Sequence, residues 1–322
     1  MNQKTIATVA LRDEGSTTFQ GTLQEAARWV ELAAAQGADL AVLPETINLL
    51  HRRDASVPLD ELALEDWQSE TALLRDTAAR CRISLVLPLL VHADNALANR
   101  FYILGGDGTS LGYYQKRAPA AGEQSSGVQA GNTSPIVWQG LRIGGAICVD
   151  VYYPQTVFDP QMDLGVDLFV IPSQTPAGIL LDAHAVNYGV PFVLAYSPWS
   201  RILDRDATEL AAGGYRSETL RFGFGSPVLQ AAVNFDAVTL FADYNQDKMV
   251  DVQRHYGSRV EIRFSQTNCI FTLQSRAEDL SVSEIMREFG LISRRDYFRQ
   301  QDPSSRRPSS AQTNSAVSRE LK

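Results

Sequence analysis

Three residues able to do covalent or acid–base chemistry stand at the ends of apolar or hairpin stretches, where packing alone does not require them. "LAVLPE" ends at Glu45, "GYYQK" at Lys116 and "GGAIC" at Cys148. A carboxylate directly after a buried apolar run is costly to bury without a partner, and a lysine would supply one. A thiol following Gly144, Gly145 and Ala146 is either a packing residue, since free cysteine is among the most buried residue types, or a nucleophile held at the rim of a sheet. Taken singly, each residue also has a plain structural reading: a solvated strand-end glutamate, a surface lysine, a core cysteine.

Other chemistries have less support. Cys81, Cys148 and Cys269 are an odd, widely spaced set without a CxxC pair, so neither a disulfide framework nor a zinc ribbon is suggested. His51, His92, His184 and His255 are scattered, without HExxH or HxH, and no metal or cofactor is expected. A formal charge of −8 over 322 residues argues against a nucleic-acid partner, which would want a basic face. The start, "MNQKTIATVALRDEG", lacks the apolar core of a signal peptide, and no apolar run reaches the roughly 18 residues of a membrane span. The expectation is a soluble, cytoplasmic protein without nucleic-acid or membrane partners, whose 44% hydrophobic content fills a sizeable core.

The elements that must position the three residues alternate as strands and crossover helices. "TIATVAL" (5–11) reads as a strand, "TLQEAARWVELAAAQG" (22–37) as a helix ending at Gly37, and "DLAVLPE" (39–45) as the next strand. A helix near 66–81 leads into "ISLVLPLLV" (83–91), and "RFYILGGDGTSLGYYQK" (100–116) reads as a hairpin turned by its Gly-Gly-Asp-Gly cluster. The second half repeats this grammar. Strands are expected at 141–148, 167–173 and 191–197, helices at 154–165 and 178–189, and closing strands at 225–230 and 237–244. "SVSEIMREFGLISRRDYF" predicts two short helices capped by Ser283 and Ser293, either a partner contact or a flap on the core. The reading divides the chain into a domain over 1–275, a helical extension over 276–300 and a disordered tail over 301–322.

Together, "GADLAVLPE", "GYYQKRAPAAGE" and "LRIGGAICVDVYYP" resemble, in order and spacing, three signature blocks of the carbon–nitrogen hydrolase family, the nitrilase superfamily. The likeness runs from residue 5 to about residue 245. It implies an α/β fold, a four-layer α-β-β-α sandwich. It also implies a Glu-Lys-Cys triad in which Glu45 matches the general base, Lys116 the charged stabiliser and Cys148 the nucleophile. Glu123, in "APAAGE", matches a second glutamate that helps hold the lysine and the substrate. The chemistry suits these residue types. An ordinary thiol is a poor nucleophile at neutral pH until a base takes its proton, and charge building on the attacked oxygen could be received by Lys116 and the backbone N–H of Val149. The implied reaction cleaves a linear amide or N-carbamoyl compound through a thioester, without a cofactor, in an enzyme that forms homodimers or higher homo-oligomers.

The chain also departs from the family pattern. Val149-Asp150 stands where nitrilases carry Trp-Glu, which favours amide over nitrile. Tyr152-Tyr153-Pro154-Gln155 replaces Arg-Phe-Pro-Glu, and Asn187 in "AHAVNY" replaces a glutamate. Two regions are expected to wall the pocket, the insertion at 51–70 and the loop at 213–226, with Arg201, Arg216 and Arg221 as possible clamps for a substrate carboxylate. The competing readings are a catalytically silent binding or regulatory protein on the same scaffold, a nitrilase, and a Cys-His hydrolase, against which no histidine is tied to the cysteine block.

Overall fold

Runs such as "SLVLPLLV" place apolar side chains on both faces of a strand, so both faces must be covered. The computed structural model describes residues 2–11, 17–51, 56–131, 134–215 and 227–302, and it covers such strands with helices on one side and a second sheet on the other.

The first half contains β1 (Gln3–Val9), α1 (Phe19–Ala35), β2 (Leu40–Val42), α2 (Leu59–Leu62), α3 (Trp67–Glu70) and α4 (Ala72–Cys81). It continues with β3 (Ser84–Ala93), β4 (Ala96–Leu104), β5 (Ser110–Gln115) and α5 (Ala121–Ser125). The second half holds β6 (Ile136–Trp138), β7 (Leu141–Gly145), α6 (Pro154–Asp163), β8 (Leu168–Pro172) and α7 (Ile179–Tyr188). After these come β9 (Phe192–Ala195), β10 (Ser200–Leu203), β11 (Glu209–Gly213) and β12 (Val228–Asn234). The C-terminal part adds β13 (Ala237–Phe241), α8 (Ala242–Tyr256), β14 (Val260–Ser265), β15 (Ile270–Ser275), α9 (Val282–Glu288) and α10 (Arg294–Gln301).

Two six-stranded sheets, ordered β12-β1-β2-β3-β4-β5 and β11-β10-β9-β8-β7-β6, stack face to face. β1, β2 and β3 run parallel, as do β7, β8 and β9, while the outer strands are antiparallel. Successive residues divide between two cores. Leu85 and Leu87 face α1 and α4, packing with Leu23, Val30 and Leu74. Val86, between them, enters the inter-sheet core with Phe101, Ile143, Leu168 and Val170. Phe169 and Ile171 point the other way, onto Val157, Phe158 and Leu181 of α6 and α7. The layers are therefore helix, sheet, sheet, helix, as expected. β7 needs its glycines to lie this deep: a Cβ on Gly144 would come 2.4 Å from the Phe169 ring, and one on Gly145 2.6 Å from Phe101 and Tyr114.

The structure revises several boundaries. The helix expected over 66–81 breaks at Thr71, whose hydroxyl donates to Trp67 O instead of continuing one regular turn. The strand expected over 237–244 stops at Phe241, where α8 begins, and β13 joins a separate sheet ordered β13-β15-β14 rather than closing the sandwich. Ser281 caps α9 in place of Ser283: its hydroxyl accepts the Glu284 N–H at 3.3 Å while Glu284 accepts the Ser281 N–H at 2.9 Å. Ser293 caps α10 as expected.

These C-terminal helices pack on the chain itself. α9 buries Val282 and Ile285 against the third sheet. Arg294 and Arg295 of α10 donate to Asn187 O and Met162 O near the ends of α7 and α6, at 2.9 and 2.7 Å. Residues 303–322, which hold most of the expected tail, lie outside the described residues. Among the described residues no helix is long and apolar enough to cross a membrane.

Candidate active site

The C-terminal ends of β2, β5, β7 and β8 meet at one edge of the sandwich, where strand ends leave backbone and side chains free to face a cleft. Glu45 lies just past β2, Lys116 directly follows β5, and Cys148 opens a short 3-10 turn, Cys148–Tyr152, just past β7. Glu45 is 3% exposed and Lys116 2%, so the lysine is neither a surface residue nor the glutamate a solvated one.

Two carboxylates hold the Lys116 ammonium. Its Nζ lies 2.8 Å from Glu45 Oε1 and 2.7 Å from Glu123 Oε2. Asn99 of β4, fully buried, braces the pair by donating from Nδ2 to Glu45 Oε1 at 2.9 Å and to Glu123 Oε1 at 2.7 Å. The Gln174 backbone N–H completes the cradle, donating to Glu45 Oε2 at 3.1 Å. Burial works against the lysine's charge, but the charges of Glu45 and then Glu123 outweigh it and hold the amine above its ordinary value. An ammonium has three N–H donors; two serve these carboxylates and one is left over.

Cys148 is half-buried, with a left-handed backbone at φ 50°, a conformation that costs about 1–2 kcal/mol outside glycine. Its Sγ lies 3.6 Å from Thr175 Oγ1. Burial and then the Glu45 charge push the thiol above its ordinary value, with Lys116 offsetting part of the effect. Cys148 therefore rests as a thiol beside a carboxylate, in contrast to a thiolate paired with imidazolium. One consequence is testable. Glu45→Gln removes a negative charge from the thiol's surroundings, so alkylation of Cys148 by iodoacetamide at neutral pH should become faster. Slower alkylation in a folded variant would contradict the electrostatics described.

Glu45, Lys116, Glu123 and Cys148 all line one cavity of ≈ 490 Å³. Residues 56–59 of the insertion wall it, as expected, along with Leu49 and Leu90. Val149, half-buried in the turn after Cys148, is not among the lining residues. Arg201 must be corrected: its guanidinium is occupied by Asp182 at 2.8 Å and Glu209 at 2.7 Å, so it braces α7 against β10 and β11. Arg216 and Arg221 lie outside the described residues. His184 bonds Val151 O at 2.8 Å within the aromatic cluster of Phe158 and Phe192, where burial lowers its basicity. It is not a cavity residue. Among the described residues no cluster of His, Cys, Asp and Glu could hold a metal ion.

Asn99, Gln174 and Thr175 were not singled out from the sequence, and Asp150 only as a departure from the family pattern. Asn99 left a trace, a polar residue inside the apolar "ALANRFYIL" next to the Lys116 hairpin, and Gln174 and Thr175 follow "VIPS" as the end of a strand parallel to the cysteine strand.

The fold is shared with solved structures. An amidase from Nesterenkonia sp. is 20% identical, with 79% of this chain and 96% of that one covered and a TM-score of 0.61. A double mutant of the amidase from Nesterenkonia sp. AN1 in complex with acrylamide is 19% identical, covering 80% and 98%, with a TM-score of 0.60. A carbon–nitrogen hydrolase from Helicobacter pylori G27 is 16% identical, covering 79% and 93%, also with a TM-score of 0.60. No curated protein matches the chain in sequence. The family model for carbon–nitrogen hydrolases matches residues 5–212, a span that includes the strand ends carrying Glu45, Lys116 and Cys148. With the stacked sheets and that match together, the chain belongs to the carbon–nitrogen hydrolase family.

Proposed function

We propose that this chain is a cofactor-free amidase that hydrolyses linear amides through a thioester on Cys148. The observation that carries the reading is the convergence of Glu45, Lys116 and Glu123 in contacts of 2.7 to 2.8 Å within the cavity that Cys148 also lines. A scaffold kept only for binding has no need to hold a buried lysine between two glutamates, which costs desolvation at every charge.

In the proposed cycle Glu45 takes the Cys148 proton as sulfur bonds to the amide carbon. The remaining Lys116 N–H receives the charge on oxygen. As the C–N bond breaks, the acid form of Glu45 returns the proton to the leaving nitrogen, releasing ammonia or an amine. Glu45 then deprotonates a water, which attacks the thioester; the C–S bond breaks and the proton returns to sulfur, freeing a carboxylic acid. Glu123 holds Lys116 throughout.

Val149-Asp150 after the cysteine and the acidic surroundings of the thiol support an amide over a nitrile or a carboxylate-bearing N-carbamoyl compound. Ammonia release from a panel of linear amides, nitriles and N-carbamoyl amino acids tests this. Turnover is expected with amides; turnover of nitriles alone, or of no compound, would overturn the reading.

A further inference from the structure

Glu45 and Lys116 belong to one sheet and Cys148 to the other. The core between the sheets is apolar, and apolar packing is non-directional; polar bonds cross beside it, from Trp138 Nε1 to Ser84 Oγ at 2.8 Å and from the Gln174 N–H to Glu45 Oε2 at 3.1 Å. Something directional must therefore fix the offset between the two strand ends, because reacting groups tolerate little displacement.

For the Lys116 and Cys148 strand ends, the side chain placed to do this is Asp150. It sits two residues after Cys148, in the turn that follows β7, and is fully buried. Its carboxylate accepts from four groups on both sheets' strand ends. Oδ2 takes the Tyr114 hydroxyl at 2.9 Å and the Ile147 N–H at 2.9 Å. Oδ1 takes the Ala118 N–H at 2.7 Å and the Arg117 N–H at 3.1 Å. Tyr114, Arg117 and Ala118 flank Lys116 along the chain, and Ile147 immediately precedes Cys148. A carboxylate offers two oxygens with about four acceptor sites, so this group is filled by donors from the segments that carry the lysine and the thiol. The bond to Ile147 also pins the residue before the left-handed Cys148, whose strained backbone persists only where its surroundings over-determine it.

We propose that Asp150 is a positioning residue that locks the Lys116 and Cys148 strand ends together across the two sheets, setting where the sulfur stands relative to Lys116 and Glu45. Its effect on turnover rests on the amidase reading above; its effect on the thiol does not, which keeps the two separable.

Asp150→Asn preserves shape but presents an NH2 group to donors. The expected result is a fall in kcat of roughly 10²-fold with little change in KM, the scale of about a 1 Å misplacement. The pH profile of Cys148 alkylation by iodoacetamide should move as well, since the sulfur's distances to Glu45 and Lys116 set it. A folded variant with a lower melting temperature but wild-type kcat and alkylation profile would reduce Asp150 to a fold-stabilising residue and overturn the proposal. If Asp150→Asn does not fold, Tyr114→Phe removes one donor and leaves the carboxylate; a smaller displacement of the same alkylation profile is expected, and an unmoved profile overturns the proposal. Should no amide be a substrate of the unmodified protein, the alkylation profiles still decide the matter.

Discussion

Cys148→Ala is expected to lower amide turnover by roughly 10⁴-fold or more, the scale seen when a nucleophile is removed from an acyl-transfer triad. The fold should barely notice. The substitution removes one half-buried sulfur, keeps a Cβ on the same left-handed backbone and leaves the Glu45–Lys116–Glu123 contacts untouched, so the loss of stability should stay near about 1 kcal/mol, a shift of roughly 2–4 °C. Paired activity and melting measurements check both halves. Cys81, at the end of α4, and Cys269, exposed between β14 and β15, lie outside the cavity, and replacing them should have only modest kinetic effect. Retained turnover in Cys148→Ala would exclude the thioester.

Lys116→Met is expected to cost about 3–4 kcal/mol of transition-state stabilisation, or 10²- to 10³-fold in kcat, because it deletes a preorganised donor to the oxyanion. It also leaves Glu45 and Glu123 facing each other without their shared cation. Breaking a buried ion pair by removing one partner costs about 3–5 kcal/mol of stability, so kinetics belong well below the melting transition, with Cys148 alkylation as a check that the pocket survives. The pH dependence separates two roles for the lysine. A charge neutraliser alone would favour the protonated carboxyl once lost, moving the acid limb of the rate profile upward, and activity would recover at higher pH. An oxyanion donor cannot be replaced by raising the pH, so a deficit that persists across the profile is the expected outcome.

The residues at the strand ends were legible because each violates the local pattern. Glu45, Lys116 and Cys148 interrupt apolar or hairpin segments, and Gly144 and Gly145 mark a close approach that the rings of Phe169, Phe101 and Tyr114 explain. Continuous apolar strands gave the doubly covered sheets for the same reason: Val86 and Leu87 can both be buried only if both faces are packed. The short strands β6, β10, β11, β14 and β15 were not legible, since three to six residues such as Ile136–Trp138 carry too little periodicity to separate a strand from a loop. Arg201 was misassigned because its partners, Asp182 and Glu209, come from a helix and a strand that tertiary structure brings together. Asp150 was read only as a family variation at the position after Val149. Its four donors come from residues 114 to 147, and no pattern local to "CVDVYY" announces them.

The central claim is that acyl transfer passes through one thioester on Cys148, and partitioning with hydroxylamine tests it most directly. Substrates sharing an acyl group but differing in the leaving amine should give the same ratio of hydroxamate to carboxylic acid at a fixed hydroxylamine concentration, since both products arise from the same acyl-enzyme after the amine has left. A ratio that changed with the leaving amine, or hydrolysis that continued with no hydroxamate at all, would contradict the thioester and with it the role of Cys148.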